Sequence, residues 1–275
     1  MKIALVQQYA GEDVDANRSN ALRRARSAAE SGAEIIAFAE LGFLPFLPQN
    51  PAGPDFKKYA EPVPGPTTEM FSAQAKEFGI VIVLNLFEES DGRTYDSSPV
   101  INTDGTIAGI TRMVHIMDGL GFHEKGYYTP GDLNTLVHDT NKGRVGIAIC
   151  YDRHFPEYMR QLGLLDPDIV FVPQAGTMDE WPAGIFEAEL QVASFQNGYF
   201  AALANRVGKE EKLHFSGESF ITDPFGQVIA QAPRGEEAVL FADCDFSKRA
   251  KCAARRFFLP DRRPAVYRQF QLLKD

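Results

Sequence analysis

The sequence predicts an α/β fold with two stacked sheets inside and helices outside, and three observations carry that prediction. Short apolar runs alternate with segments of helical period from the first residues onward. Of 275 residues, 44% are hydrophobic and 24% charged, enough apolar mass for a large core. No Ser/Gly linker and no short repeat breaks the pattern, so 1–275 is expected to form one domain, with 247–275 as a C-terminal arm.

Taken in order, residues 2–8 read as a buried strand. Leu22, Ala25 and Ala29, at i, i+3 and i+7, give 16–31 the apolar stripe of an amphipathic helix. Gly32 ends that helix, and 34–38 is the next apolar run. Phe71, Ala75 and Phe78 mark a second helix, stopped by Gly79 and followed by a strand over 80–86. Strands near 98–102 and 106–112 flank Asp104-Gly105, a two-residue hairpin signal. A glycine-rich loop over 118–133 leads to the apolar run 145–150. A helix near 155–164, a strand at 169–172 and a helix near 183–197 follow. Strands at 199–204, 217–222, 227–231 and 237–242 complete the pattern, with Asp223-Pro224-Phe225-Gly226 as a turn.

Charge and composition exclude several classes. Lys and Arg number 28 against 37 Asp and Glu, a net charge of -9. That balance argues against a surface that coats nucleic acid and against a polybasic membrane anchor. Apolar runs fall far short of the roughly 20 residues a membrane span needs. The first residues turn polar by Gln7, as a strand does and a secretory signal does not. Three cysteines make no disulfide framework, so a reducing cytoplasm is expected. The arm carries Arg255, Arg256, Arg262, Arg263 and Arg268 among aromatics and reads as cover for a neighbouring surface. His115, His123, His138 and His214 show no metal spacing, Cys244 and Cys252 read as structural thiols, and no cofactor is implied.

Two strand ends carry the chemistry. The run Gly146-Ile147-Ala148-Ile149 delivers Cys150 to a sharp transition, with Pro156 suited to the first turn of a helix. Such a thiol is either a small buried hydrophobe or a nucleophile eased toward ionisation by the helix's positive end. Glu40 ends another apolar strand, either as an edge residue in water or as a general base in a pocket. Paired with Cys150, it would take the thiol proton and later activate water, the two tasks of cysteine acyl transfer.

With these segments in order, the chain resembles the carbon–nitrogen hydrolase (nitrilase-like) superfamily. The resemblance runs through the opening strand, Phe38-Ala39-Glu40, the stretch from His123-Glu124-Lys125 to Pro130-Gly131-Asp132, and the Cys150 segment. It continues through Ala204-Asn205-Arg206-Val207-Gly208, Phe215-Ser216-Gly217-Glu218-Ser219-Phe220 and Asp261-Arg262-Arg263-Pro264. The 123–132 stretch looks most like N-carbamoylputrescine amidases and hydrolases of N-carbamoyl amino acids. The resemblance implies a four-layer αββα sandwich, a homodimer with the tail at the contact, and a metal-free Glu–Lys–Cys triad. It implies Cys150 as nucleophile, Glu40 as base, Glu124 as a second acid that positions substrate or relays protons, and the Tyr151 N–H as an oxyanion donor. It also implies a small amide or carbamoyl substrate.

One position departs. The family's lysine stands in a pattern like Tyr-Arg-Lys-x-His, and here the stretch is Thr111-Arg112-Met113-Val114-His115. Methionine offers no donor for an oxyanion. Losing one such donor costs about 2.7–4 kcal/mol, roughly 100- to 1,000-fold in rate. Arg112 and Lys125 are the cations that could compensate; a binding module that has lost turnover and a deliberate substitution are the alternatives. For substrate recognition, Arg153 and His154 would clamp a carboxylate, or Arg153 would pair with Asp152 or Glu157. An amine-bearing substrate would instead call for acids such as Asp118, Glu180 and Glu187 at the pocket mouth. Trp181 lines the pocket or packs in the core.

Overall fold

The structure is a computed structural model describing residues 1–268, so the end of the predicted arm, 269–275, lies outside the described residues. Its centre is two sheets packed face to face. In the first, Lys2–Gln7, Ile35–Phe38 and Val81–Val83 run parallel, and α1 (Val14–Glu30) and α2 (Pro66–Phe78) supply the crossovers. In the second, Gly143–Ile147, Ile169–Gln174 and Phe200–Asn205 are parallel, crossed by α3 (Pro156–Leu165) and α4 (Ile185–Asn197). Antiparallel strands extend both sheets: Ala238–Asp243 and Arg93–Ile101 flank the first set, Phe220–Thr222 and Val137–Thr140 the second.

Why four layers form is visible in the period-2 alternation of the strands. Ile3, Leu5, Ile35 and Ala37 face the opposing sheet, where they meet Val145, Ile147, Ile169 and Phe171. Their neighbours Ala4, Val6, Ile36 and Phe38 face Ala21, Ala25 and Phe71 of α1 and α2. On the other side, Val170, Val172 and Ala201 face Tyr158, Leu162 and Leu190 of α3 and α4. Buried on both faces, these strands are continuous apolar runs, which explains why the sequence marked them so clearly. The αββα order agrees with the expected fold class.

Local corrections arise where polar residues are buried. The predicted strand 80–86 is interrupted at Leu84 and Asn85, between Val81–Val83 and Leu86–Ser90, although both pieces pair with Arg93–Ile101 in one register. Arg93–Ile101 itself starts earlier than its apolar end suggested, because Thr94, Asp96, Ser97 and Ser98 are buried polar residues. The hairpin at Asp104-Gly105 is longer than two residues. Asn102 N–H donates to Thr106 O and Gly105 N–H to Asn102 O, with Gly105 at φ 85°.

The described part of the arm lies on its own chain. Arg249 pairs with Asp166 and Asp168 and Arg255 with Asp166, while Cys252 is buried and Phe258 meets Phe195 of α4 at 5.3 Å.

Candidate active site

The loops at the C-terminal ends of the parallel strands carry the site. After Gly143–Ile147 the chain enters a single-turn helix, Cys150–His154, and Cys150 itself adopts φ 43°. A left-handed backbone at a non-glycine residue costs free energy, and such outliers gather at functional sites. Cys150 is almost fully buried, and the Ala175 backbone lies near enough to act on its thiol.

Glu40 reaches the same place from the first sheet. Its turn is fixed from three sides. Asn85 Oδ1 accepts from the Leu41 N–H at 2.7 Å, Gln8 Nε2 donates to Gly42 O at 2.9 Å, and Arg206 Nη1 donates to the Glu40 carbonyl at 3.0 Å. The Glu40 carboxyl and the Cys150 thiol act on one another, and neither carboxyl oxygen has a conventional hydrogen-bond partner. Glu124 follows the short strand Phe122–His123 and is fully buried, with Oε2 accepting the Met117 N–H at 2.9 Å and Oε1 unpartnered.

A third carboxyl, absent from the sequence-based set, joins them. Asp96 is fully buried on Arg93–Ile101, and its Oδ1 accepts from Asn85 Nδ2 at 2.5 Å. Its Oδ2 has no hydrogen-bond partner, and the Asp96 and Glu40 carboxyls act on one another. The one signal in sequence was an Asp among residues with strand alternation, Tyr95-Asp96-Ser97-Ser98. A fourth acid, Asp152, is buried and holds the segment after Met113: it accepts from the His115 N–H at 2.9 Å and from the His115 ring at 2.7 Å.

Burial raises the carboxyls of Glu40, Glu124 and Asp96, the last to about 7, and other acids act on each of them. The thiol of Cys150 is likewise pushed well up, first by burial and then by Glu40 and Glu124. The expected easing of thiol ionisation is therefore overturned: desolvation and like charge outweigh any help from the start of α3.

Met113 is tied to this cluster through its backbone. Its side chain is buried, its N–H donates to Asp96 O at 2.9 Å, and its carbonyl accepts the Gly131 N–H at 2.7 Å. Neither proposed compensating cation reaches the site. Arg112 is bound to both oxygens of Glu88, at 2.8 and 2.6 Å, and stacks over Tyr95 at 3.9 Å. Lys125 is exposed.

The expected substrate clamp is also committed elsewhere. Arg153 is buried, pairs with Glu189, donates to Gln174 Oε1 at 3.0 Å and lies over Phe186. Thus Arg153 pairs with an acid, as the alternative required, but with Glu189 and not with Asp152 or Glu157. His154 bonds to the same Glu189 at 2.6 Å and meets Trp181 at 5.5 Å. Trp181 lines a cavity of about 280 Å³ with Glu180, Glu187, Glu218 and Asn205. Thr177, two residues beyond the Ala175 N–H, borders the same cavity. Asp118 is exposed and does not line it. Tyr151 directly follows the nucleophile candidate, and its ring packs edge-on against Phe155 at 5.2 Å.

A four-layer sandwich with a strained strand-end cysteine among buried carboxyls belongs to the α/β hydrolytic enzymes. The chain is a member of the carbon–nitrogen hydrolase family, which its residues 2–254 match, and so of a group of hydrolases acting on amides. It is 34% identical to the N-carbamoylputrescine amidase of Solanum lycopersicum over 97% of this chain and 93% of that protein. The citrullinase of Francisella tularensis is 32% identical, with 97% and 96% of the two chains covered. Among solved structures, a carbon–nitrogen hydrolase from Helicobacter pylori G27 superposes with a TM-score of 0.92 at 27% identity, covering 100% of this chain and 99% of that one.

Proposed function

We propose that this protein hydrolyses a small N-carbamoyl or linear amide through a covalent thioester at Cys150. The observation that carries the reading is the left-handed Cys150 facing Glu40 across the two sheets. Glu40 takes the thiol proton as sulfur attacks the carbonyl or carbamoyl carbon, then returns it to the departing amine. Water activated by Glu40 releases the acyl group. The Tyr151 N–H is one oxyanion donor, and Glu124 orients the substrate or passes protons. Met113 leaves the second donor position empty of charge, so turnover is slow relative to a lysine-bearing site.

The substrate's other end is read as cationic. Glu180 and Glu187 line the cavity beside Trp181, where the cation Arg234 is already paired with Asp179, whereas Arg153 and His154 are held by Glu189. This favours an amine-bearing substrate over a carboxylate-bearing one, in keeping with the N-carbamoylputrescine amidase relative. We further read 1–275 as one domain and the protein as a homodimer through the apolar residues Val192, Phe195 and Phe258 that α4 and the arm leave exposed. Three buried free thiols fit a reducing cytoplasm, and among the described residues no helix is long and apolar enough to cross a membrane.

The test is ammonia release from a panel of carbamoyl amines, carbamoyl amino acids and simple amides. Turnover greatest with the amine-bearing members supports the proposal; preference for carboxylate-bearing ones overturns the substrate assignment. A second reading, a silent homologue that only binds metabolite, draws on the uncharged Met113. It would be favoured by tight ligand binding with no turnover in either this chain or its Met113→Lys variant.

A further inference from the structure

Resting on that reading of the reaction, the acid cluster points to a role for Asp96. Three buried carboxyls are grouped near Cys150: Glu40 and Glu124 act on the thiol and Asp96 acts on Glu40, while Arg112 and Arg206 are engaged elsewhere. Three fully ionised carboxylates cannot share a desolvated space without a counter-charge. Asn85 fixes the geometry of one of them. Its amide nitrogen donates to Asp96 Oδ1 and its amide oxygen accepts the Leu41 N–H, so it ties Asp96 to the backbone that carries Glu40. Asp96 Oδ2 is left without a hydrogen-bond partner, and the Asp96 and Glu40 carboxyls act on one another.

We propose that Glu40 and Asp96 share one proton and act as a single acid–base unit carrying one negative charge, which removes the need for a counter-charge at position 113 but not for an oxyanion donor there. The thiol proton moves from Cys150 Sγ to this unit as the S–C bond forms. The unit then holds two protons and no charge, and the negative charge passes to the sulfur and on to the oxyanion. When the amine leaves, the unit gives one proton to its nitrogen and regains its charge. Asp96 touches no reacting atom in this scheme; it is a positioning residue that sets the basicity of Glu40. Paired carboxyls of this kind titrate in two steps that belong to the pair. Glu124 acts on Glu40 and Asp152 on Asp96, and their negative charge favours keeping the shared proton, whereas the Cys150 thiol acts on Glu40 in the opposite sense. The Tyr128 hydroxyl is pushed up by burial and then by the same acids, so it stays neutral.

Asp96→Asn keeps the shape and an acceptor for Asn85 but removes the shared proton. The first measurement is the pH profile of Cys150 alkylation by iodoacetamide, with peptide mapping, which needs no substrate. We expect the acid limb of the variant to move down by about one pH unit or more, because Glu40 loses its like-charged partner. The second is a carbon-13 titration of the unmutated protein labelled at aspartate carboxyls, in which one buried aspartate should titrate near neutral pH. An unchanged alkylation profile, or an aspartate set that titrates wholly in the ordinary acid range, would overturn the proposal. Should alkylation follow the expected profile while no amide is hydrolysed, the functional reading fails and the proton-sharing pair stands.

Discussion

Two buried charge clusters lie within a few residues of each other, and they are built on opposite rules. Arg206 is only 1% exposed, yet it donates to the carbonyls of Glu40 and Leu44, pairs with Glu210 and lies over Phe215. Glu210 in turn accepts from the Phe46 N–H at 2.7 Å and from Gln49 at 3.0 Å. The Glu40–Asp96–Glu124 cluster is equally buried, but four of its six carboxyl oxygens lack a conventional partner. A buried charge with its partners is architecture, since it fixes the turn on which Glu40 sits. A buried acid without them stays ready to take or give a proton.

Breaking the reactive cluster should have the largest effect. Cys150→Ala is expected to reduce ammonia release to background while circular dichroism and thermal unfolding stay near those of the parent. Met113→Lys sharpens the comparison by making the second cluster resemble the first. It should raise turnover by roughly 100- to 1,000-fold, the value of one oxyanion donor; equal turnover in both forms would show that position 113 is not limiting.

In the paired cluster, Arg206→Met should leave Glu210 buried without its cationic partner. We expect a loss of about 3–5 kcal/mol in urea unfolding, typical of a broken buried pair. Asp96 gives a pH-dependent effect of similar order. Its carboxyl is raised from 3.8 to about 7, so the native state binds a proton that the unfolded chain has released. This contribution to stability is complete below pH 4 and is lost as pH rises toward and through 7, on the order of a few kcal/mol. Asp96→Asn should flatten that slope relative to the parent. His138 works in the opposite direction, because burial lowers it to about 4 and stability is lost as pH falls from 6.5 toward that value. The smallest change is expected for Glu180→Gln: a several-fold higher KM for amine-bearing substrates with kcat little altered.

Much of this arrangement was legible before any coordinates. Cys150 and Glu40 sit at the ends of apolar runs, and parallel strands buried on both faces advertise such ends plainly. Asp96 was not legible, because a lone Asp in a strand looks the same whether it faces water or a buried acid. Arg153 was misleading for a similar reason: its position after Cys150 suggested a ligand clamp, but Glu189, thirty-six residues away, holds it.

The sequence by itself determined the layers, the strand-borne cysteine and glutamate, and the absence of lysine at 113, since hydrophobic periodicity and residue identity are local properties. Tertiary structure alone decided which acids share a space, which arginines are already engaged, and that the Cys150 thiol is harder to ionise than its place before α3 implied. Desolvation and charge coupling depend on what is brought close from distant parts of the chain, and that proximity exists only once the sheets have stacked.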